Sequence, residues 1–240
     1  ITDIHIDVGL AGDAPNSALW LLNPHCFTIG IEPVDAHLEA LFNVTTKSAH
    51  LHEWPIVQLY NNSVTFKGEK VIDIAGRFCL IRSAIFNTQT PRPVTFYLNK
   101  QTRNESGSSS VVHPSNRPLQ FQGREDIFDK EIQVPSCSLN YILNRIDTNK
   151  FPYITHLKTD LEGYDFEGVM SAGQKIINFI FISCEWNHNT TETQKRSFYE
   201  FMTLNGFSVA KCEGGNIDFA NNRFKDLITA RGLNCKTHGL

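Results

Sequence analysis

Apolar runs of strand length alternate along the chain with segments whose apolar positions recur at helical spacing, the texture of βαβ units and a mainly parallel sheet. A first strand is expected over Asp3 to Val8, a helix from about Asn16 to Leu22, and a second strand, CFTIGIEP, closing at Glu32. In AHLEALFN, Leu38, Leu41 and Phe42 share one helical face, and Asp35 is placed to cap that helix. FCLIRSAIFN and PVTFYLN read as strands joined through NTQTPR as a hairpin. Residues 99 to 118, rich in Ser, Asn, Gly and Pro and without periodicity, form a long loop and a candidate lid.

Order returns in EIQVPSCSLNYILNRI, a short strand and then a helix capped by Ser136 or Ser138. ITHLKTDLEG is a strand running into a polar turn, and YDFEGVMSAG a helix ending near Gly173. NFIFISCEW, the most apolar strand, stops at Glu185. A helix from about Thr191 to Leu204 precedes FSVAKCEGG and IDFANNRF, which suit an antiparallel pair at a sheet edge. No internal repeat interrupts this order.

With 240 residues and 41% hydrophobic content the chain supports one large core, so a single domain over 1–240 is expected. The first residue is Ile1 and the first strand follows at once, which predicts a domain excised from a longer polypeptide, with other domains as partners. A net charge of −3 and no basic cluster argue against nucleic acid as the main partner. No apolar run reaches membrane-spanning length and no signal peptide precedes the first strand, so a soluble, cytoplasmic protein without a membrane span is expected. Sequons at Asn43, Asn61, Asn104 and Asn189 therefore carry no weight. Six cysteines lack zinc-ligand spacing, and Cys26, Cys79 and Cys184 fall in apolar strands as buried thiols.

The acids carry the chemistry. Asp7, Glu32, Asp160 and Glu185 each stand at the carboxyl end of an expected strand, where open parallel sheets bind ligands. Glu32 follows Gly9 by 32 − 9 = 23 positions, the place from which a carboxylate accepts hydrogen bonds from the two hydroxyls of an adenosine ribose. DVGLAGD offers only G-x-x-G, however, and Asp13 puts negative charge where a dinucleotide pyrophosphate would lie. S-adenosylmethionine has no phosphate, and its positive sulfonium and ammonium suit Asp7 and Asp13. Its carboxylate suits the N–H groups near Asn16 and Ser17.

IDVGLAGDAPNSALWL, IGIEP, RSAIFN, VPSCSLNYIL, HLKTDLEGYDFEGVMSAG, FIFISCEW and NGFSVAKCEGGNIDFANNRF, in that order, resemble the FkbM-type S-adenosylmethionine-dependent methyltransferases. The block Lys158-Thr159-Asp160-Leu161-Glu162-Gly163 and its spacing to Glu185 are the most specific part. The family's second glycine stands four positions after the first; here that place is Asp13, with Gly12 one step earlier. The resemblance implies an α/β, Rossmann-like class I methyltransferase fold: a seven-stranded, mostly parallel sheet with an antiparallel last strand and helices on both faces. It also implies O-methylation of a hydroxyl on a sugar, glycan or related natural product.

On that basis Asp7, Gly9, Gly12, Asp13, Asn16, Ser17, Glu32, Pro33, Ser83 and Ala84 are cofactor-site candidates. Asp160 and Glu185 are candidate bases, with Glu162, Lys158 and His188 in support. Trp186 offers a platform for a sugar ring, and His113 is a weaker catalytic prospect. His5 reads as a satisfied core histidine, Trp20 and Trp54 as packing residues, and nothing selects a metal. Two alternatives remain: an NAD-linked oxidoreductase, set back by the missing third glycine and the lack of a Tyr-x-x-x-Lys pair, and a catalytically inactive binding module.

Overall fold

The protein was studied as a computed structural model, which describes residues 2–10, 14–42, 56–60, 64–66, 70–72, 76–99, 110–112, 128–186, 190–213 and 215–233. Five strands run parallel: β1 (Asp3–Val8), β2 (Cys26–Ile31), β6 (Phe78–Arg82), β10 (Ile154–Thr159) and β11 (Phe179–Glu185). The last strand, β13 (Asn216–Asn221), lies antiparallel between β11 and β12 (Phe207–Glu213). These seven strands form the expected sheet. An eighth, β3 (Ile56–Tyr60), adds antiparallel to β6 at the far edge, where no strand was expected. A small ladder, β4 (Val64–Phe66) with β5 (Lys70–Ile72), stands apart.

Alternation along β1 sorts the faces. Ile4, Ile6 and Val8 pack into the main core with Leu157, Ile182 and Phe219. The helices α3 (Leu139–Leu143), α4 (Asp165–Met170) and α5 (Glu192–Leu204) close that side through Ile142, Val169 and Phe198. On the other side α1 (Pro15–Leu21) and α2 (Asp35–Phe42) bury Leu21, Leu38 and Leu41 against Phe78 and Leu80. Helices thus cover both faces. A last helix, α6 (Lys225–Arg231), ties the opposite sheet edge to β1 through Arg231 and Asp3, 3.1 Å apart. Among the described residues no helix is long and apolar enough to cross a membrane.

Several expectations are corrected. FCLIRSAIFN is not one strand of a hairpin: it breaks at Ser83 into β6 and β7 (Ala84–Ile85), and β7 leaves the main sheet. β8 (Arg92–Asn99) pairs antiparallel with β9 (Phe128–Cys137), and β9 in turn takes β7 as a parallel neighbour. A side sheet results, whose long-range partners a local turn signal does not reveal. Asp35 is not an N-cap but the first residue of α2, and its two carboxylate oxygens accept the Nε–H and an Nη2–H of Arg82. α4 stops at Met170, and Gly173 opens a 3-10 turn, Gly173–Asn178. His5 is not satisfied: its Nδ1 is buried without a hydrogen-bond partner among the described residues, and burial pushes the imidazole down to about 4. Trp20 covers it at 4.6 Å between ring centres.

Other local signals translate directly. Ser138, one of the two candidates, caps α3 by accepting the Tyr141 N–H, while Ser136 lies in β9 and donates to the Arg92 carbonyl. Thr191 and Gln194 form a reciprocal capping box on α5. Cys26 and Cys184 are buried, Cys79 partly so, and burial raises all three thiols, Cys26 to about 12. Of the loop over 99–118, residues 110–112 lie among those described beyond Asn99. Ser110 exchanges two backbone hydrogen bonds with Tyr97, and its hydroxyl donates to the Leu161 carbonyl at 3.0 Å.

Candidate active site

Because β1, β2, β10 and β11 run parallel, their carboxyl ends share one rim. Asp7 is the penultimate residue of β1, Glu32 follows β2, Asp160 follows β10 and Glu185 ends β11. The chains approach closely here. Gly9 has φ +79°, and a Cβ built on it would overlap the Asp160 carbonyl oxygen, so only glycine lets β1 leave beside β10. Gly9 N–H donates to Ile31 and Asp160 N–H to Val8, which knits three strand ends together.

One ammonium sits among the carboxylates. Lys158, 6% exposed, is the register partner of Asp7 and binds Asp160 at 3.0 Å. Burial pulls the lysine down, but Asp160, Asp7 and Asp165 outweigh it and raise it, so Lys158 stays charged. Asp7 is buried; its Oδ2 accepts the Ser17 N–H at 2.9 Å and the Ser17 hydroxyl at 2.6 Å. Burial raises the Asp7 carboxyl against the pull of Lys158, and its Oδ1 has no hydrogen-bond partner among the described residues. The Ser17 N–H assigned to a cofactor carboxylate is thus committed to Asp7, while Asn16 is buried beside it.

The turn after β10 is built from left-handed residues, Glu162 at φ +51° and Gly163 at φ +95°. Asp165 fastens it: both carboxylate oxygens accept the Leu161 N–H, at 3.1 and 3.2 Å. α4 begins at Asp165 with Tyr164 at its N-cap and no side-chain cap hydrogen bond, so neither Asp160 nor Glu162 caps it; Asp165 instead reaches back from the helix's first turn to hold the turn before it. Burial, then the nearby Asp160 charge, pushes Asp165 up to about 7. Glu185 goes further, to about 8, through burial and the carboxylates of Asp165, Glu162 and Asp160. Its Oε2 is buried without a hydrogen-bond partner among the described residues. Trp186 beside it packs on Phe166 and Tyr199, with Lys195 Nζ 5.2 Å from its ring centre.

Glu32 is 3% exposed and faces inward at the rim. Its Oε1 accepts the Val34 N–H at 2.9 Å and meets His37 Nδ1 at 3.1 Å. An ionised carboxylate only accepts, so Nδ1 carries the proton. Burial lowers His37, but Glu32 prevails and raises it. Pro33, next along the chain from Glu32, is buried as well. Ser83 and Ala84 are buried where β6 gives way to β7, and the Ser83 hydroxyl bonds to the Ala84 carbonyl at 2.9 Å. Gly12, Asp13, His188, His113 and Trp54 lie outside the described residues.

Two participants escaped sequence reading. Asp165 was hidden as one more acid at a helix start, because its partner, the Leu161 N–H, lies in the turn before the helix. His37 left no sequence signal, because its link to Glu32 spans the bend between β2 and α2. Among the described residues no group of three or more His, Cys, Asp or Glu side chains is placed to hold a metal ion.

The rim can bind a cation among carboxylates and can accept a proton at Glu185. Comparison with known proteins bears on its class. A 16S rRNA (adenine(1408)-N(1))-methyltransferase from Catenulisporales acidiphilia is similar at TM-score 0.37 and 10% identity, over 91% of this chain and 85% of that chain. An antibiotic-related methyltransferase is similar at TM-score 0.32 and 11% identity, over 90% and 85% respectively. Likeness this distant carries nothing about the acceptor. No curated protein matches the chain. The sequence profile of the methyltransferase FkbM domain matches residues 11–209, most of the chain, with the strand-end acids Glu32, Asp160 and Glu185 inside that span, and the protein belongs to this methyltransferase family.

Proposed function

We propose that the protein is an S-adenosylmethionine-dependent O-methyltransferase whose acceptor is a hydroxyl of a sugar, glycan or related natural product. The observation that carries this reading is the set of strand-end acids on one rim, with Glu32 buried and held by the Val34 N–H and Glu185 left, among the described residues, without a hydrogen-bond donor on Oε2. The donor set fits the cofactor: carboxylates favour a cation, and Gly9 lets backbone come close. When bound, the sulfonium supplies a methyl group that is already electrophilic.

The chain's own work is then orientation and proton removal. Glu32 accepts the ribose hydroxyls, and Asp7 and Asp160 contribute negative potential around Lys158. Glu185 takes the acceptor's hydroxyl proton onto its carboxylate, a task suited to a base whose affinity for protons has been raised toward neutrality and above. Lys158 holds Asp160 in place. Ser110 donates to the Leu161 carbonyl in the turn that carries Asp160 and Glu162 and so helps to hold that turn.

Calorimetric titration with S-adenosylmethionine, S-adenosylhomocysteine and NADH tests the class. Saturable binding of the first two and none of NADH is expected. Heat with NADH alone favours the oxidoreductase, and heat with none of them the inactive module. Transfer of labelled methyl to a panel of free sugars, glycans and an RNA oligonucleotide tests the acceptor, and label on RNA alone would overturn the saccharide reading.

A further inference from the structure

We propose that His37 is a positioning residue for the nucleoside: it locks the Glu32 carboxylate in the one orientation that receives the ribose diol. The inference rests on the ribose reading of Glu32 given above. Glu32 follows β2 directly, and its N–H donates to the Ile81 carbonyl of β6 at 3.2 Å, so its backbone is held and only its side chain needs orienting. Without restraint a glutamate at a strand end samples several rotamers, and fixing it on binding costs affinity.

Two donors remove that freedom, and both act on Oε1. Val34 N–H, two residues on, sets the base of the loop at 2.9 Å, and His37 Nδ1, from the first turns of α2, meets the same oxygen at 3.1 Å. His37 is 5% exposed and its own N–H bonds to the Val34 carbonyl, so the imidazole is as fixed as the helix. The helix is fixed in turn. Asp35 accepts the Nε–H and an Nη2–H of Arg82 from the end of β6, the strand next to β2, so α2 is anchored to the sheet on the side where Glu32 emerges. A buried carboxylate held by a helix that is clamped to the neighbouring strand is a preorganised acceptor. The hydrogen bond also offsets part of the cost of burying the carboxylate, the form in which Glu32 accepts from hydroxyls.

The test is calorimetric titration of the purified chain with S-adenosylhomocysteine and with its 2′,3′-dideoxyribose analogue. The unaltered protein should prefer the diol by about tenfold or more. His37→Leu, which fills the space but gives no donor, should weaken the diol ligand by roughly tenfold and leave the dideoxy ligand within about twofold. His37→Asn places an amide N–H near the Nδ1 position and should restore the preference. Equal weakening of both ligands by His37→Leu would reduce His37 to a packing residue of α2 and overturn the inference, as would an undiminished diol preference. Should His37→Leu fail to fold by circular dichroism, His37→Gln, whose amide lies one bond too far, decides in the same way: loss of the preference supports the role and its retention refutes it. Glu32→Gln separates the two levels, since a Glu32→Gln protein that still prefers the diol refutes the ribose reading itself.

Discussion

Glu32 and Glu185 close strands of the same parallel sheet and point to opposite uses of one side chain. Glu32 is almost wholly buried and has hydrogen-bond donors on Oε1, among them a histidine. Glu185 is partly exposed, its Oε2 has no hydrogen-bond partner among the described residues, and its nearest charged company is largely other carboxylates. Donors on one oxygen fix the orientation of Glu32, as the proposed acceptor role requires, whereas burial and like charge raise the proton affinity of Glu185, as the proposed base role requires. The difference lies in the neighbours, not in the strand end both occupy.

The comparison breaks most sharply at Glu185. Glu185→Gln should lower the methyl-transfer rate by about a hundredfold or more while leaving cofactor affinity within about twofold, read by single-turnover transfer and calorimetry. Glu32→Gln should do the reverse, and matching effects of the two variants would erase the distinction. Comparable in size is Gly9→Ala, where strain at φ +79° adds to overlap with the Asp160 carbonyl; thermal unfolding should report a loss of about 3 kcal/mol.

The pH dependence follows from Glu185, raised from 4.5 to about 8. The base form grows as pH rises, so kcat/KM should climb through about pH 8, and Glu185→Gln should flatten that limb. Stability runs the other way. A raised pKa means the fold favours the protonated group, so this contribution is complete below about 4.5 and is lost as pH climbs through about 8. Thermal melts of the Glu185→Gln protein should therefore gain on the unaltered one at alkaline pH. The smallest effect is expected at Ser17→Ala, which takes one donor from the buried Asp7 and should cost about 1–2 kcal/mol in denaturant unfolding.

What could be read from the chain alone followed physical range. Asp7, Glu32, Asp160 and Glu185 were legible because each ends a strongly apolar run, and parallel strands put such ends on one edge. The cap of α3 was legible to within two candidates, Ser136 and Ser138, and the start of α5 near Thr191 was legible too, because such signals act within one helical turn. The side sheet was not. β7 finds its parallel partner in β9, far along the chain beyond β8, while the turn residues between β6 and β8 suggested a hairpin that never forms. His37 and Asp165 were hidden for a related reason: what they do depends on which backbone group the folded chain brings to them.

The two-point grip of Arg82 on Asp35 has one further meaning. It makes the corner formed by β2, β6 and α2 a stiff bracket before any visitor arrives. On the proposed reading, a nucleoside settling there would meet a surface whose ordering entropy was lost at folding, so capture at this end should proceed by docking.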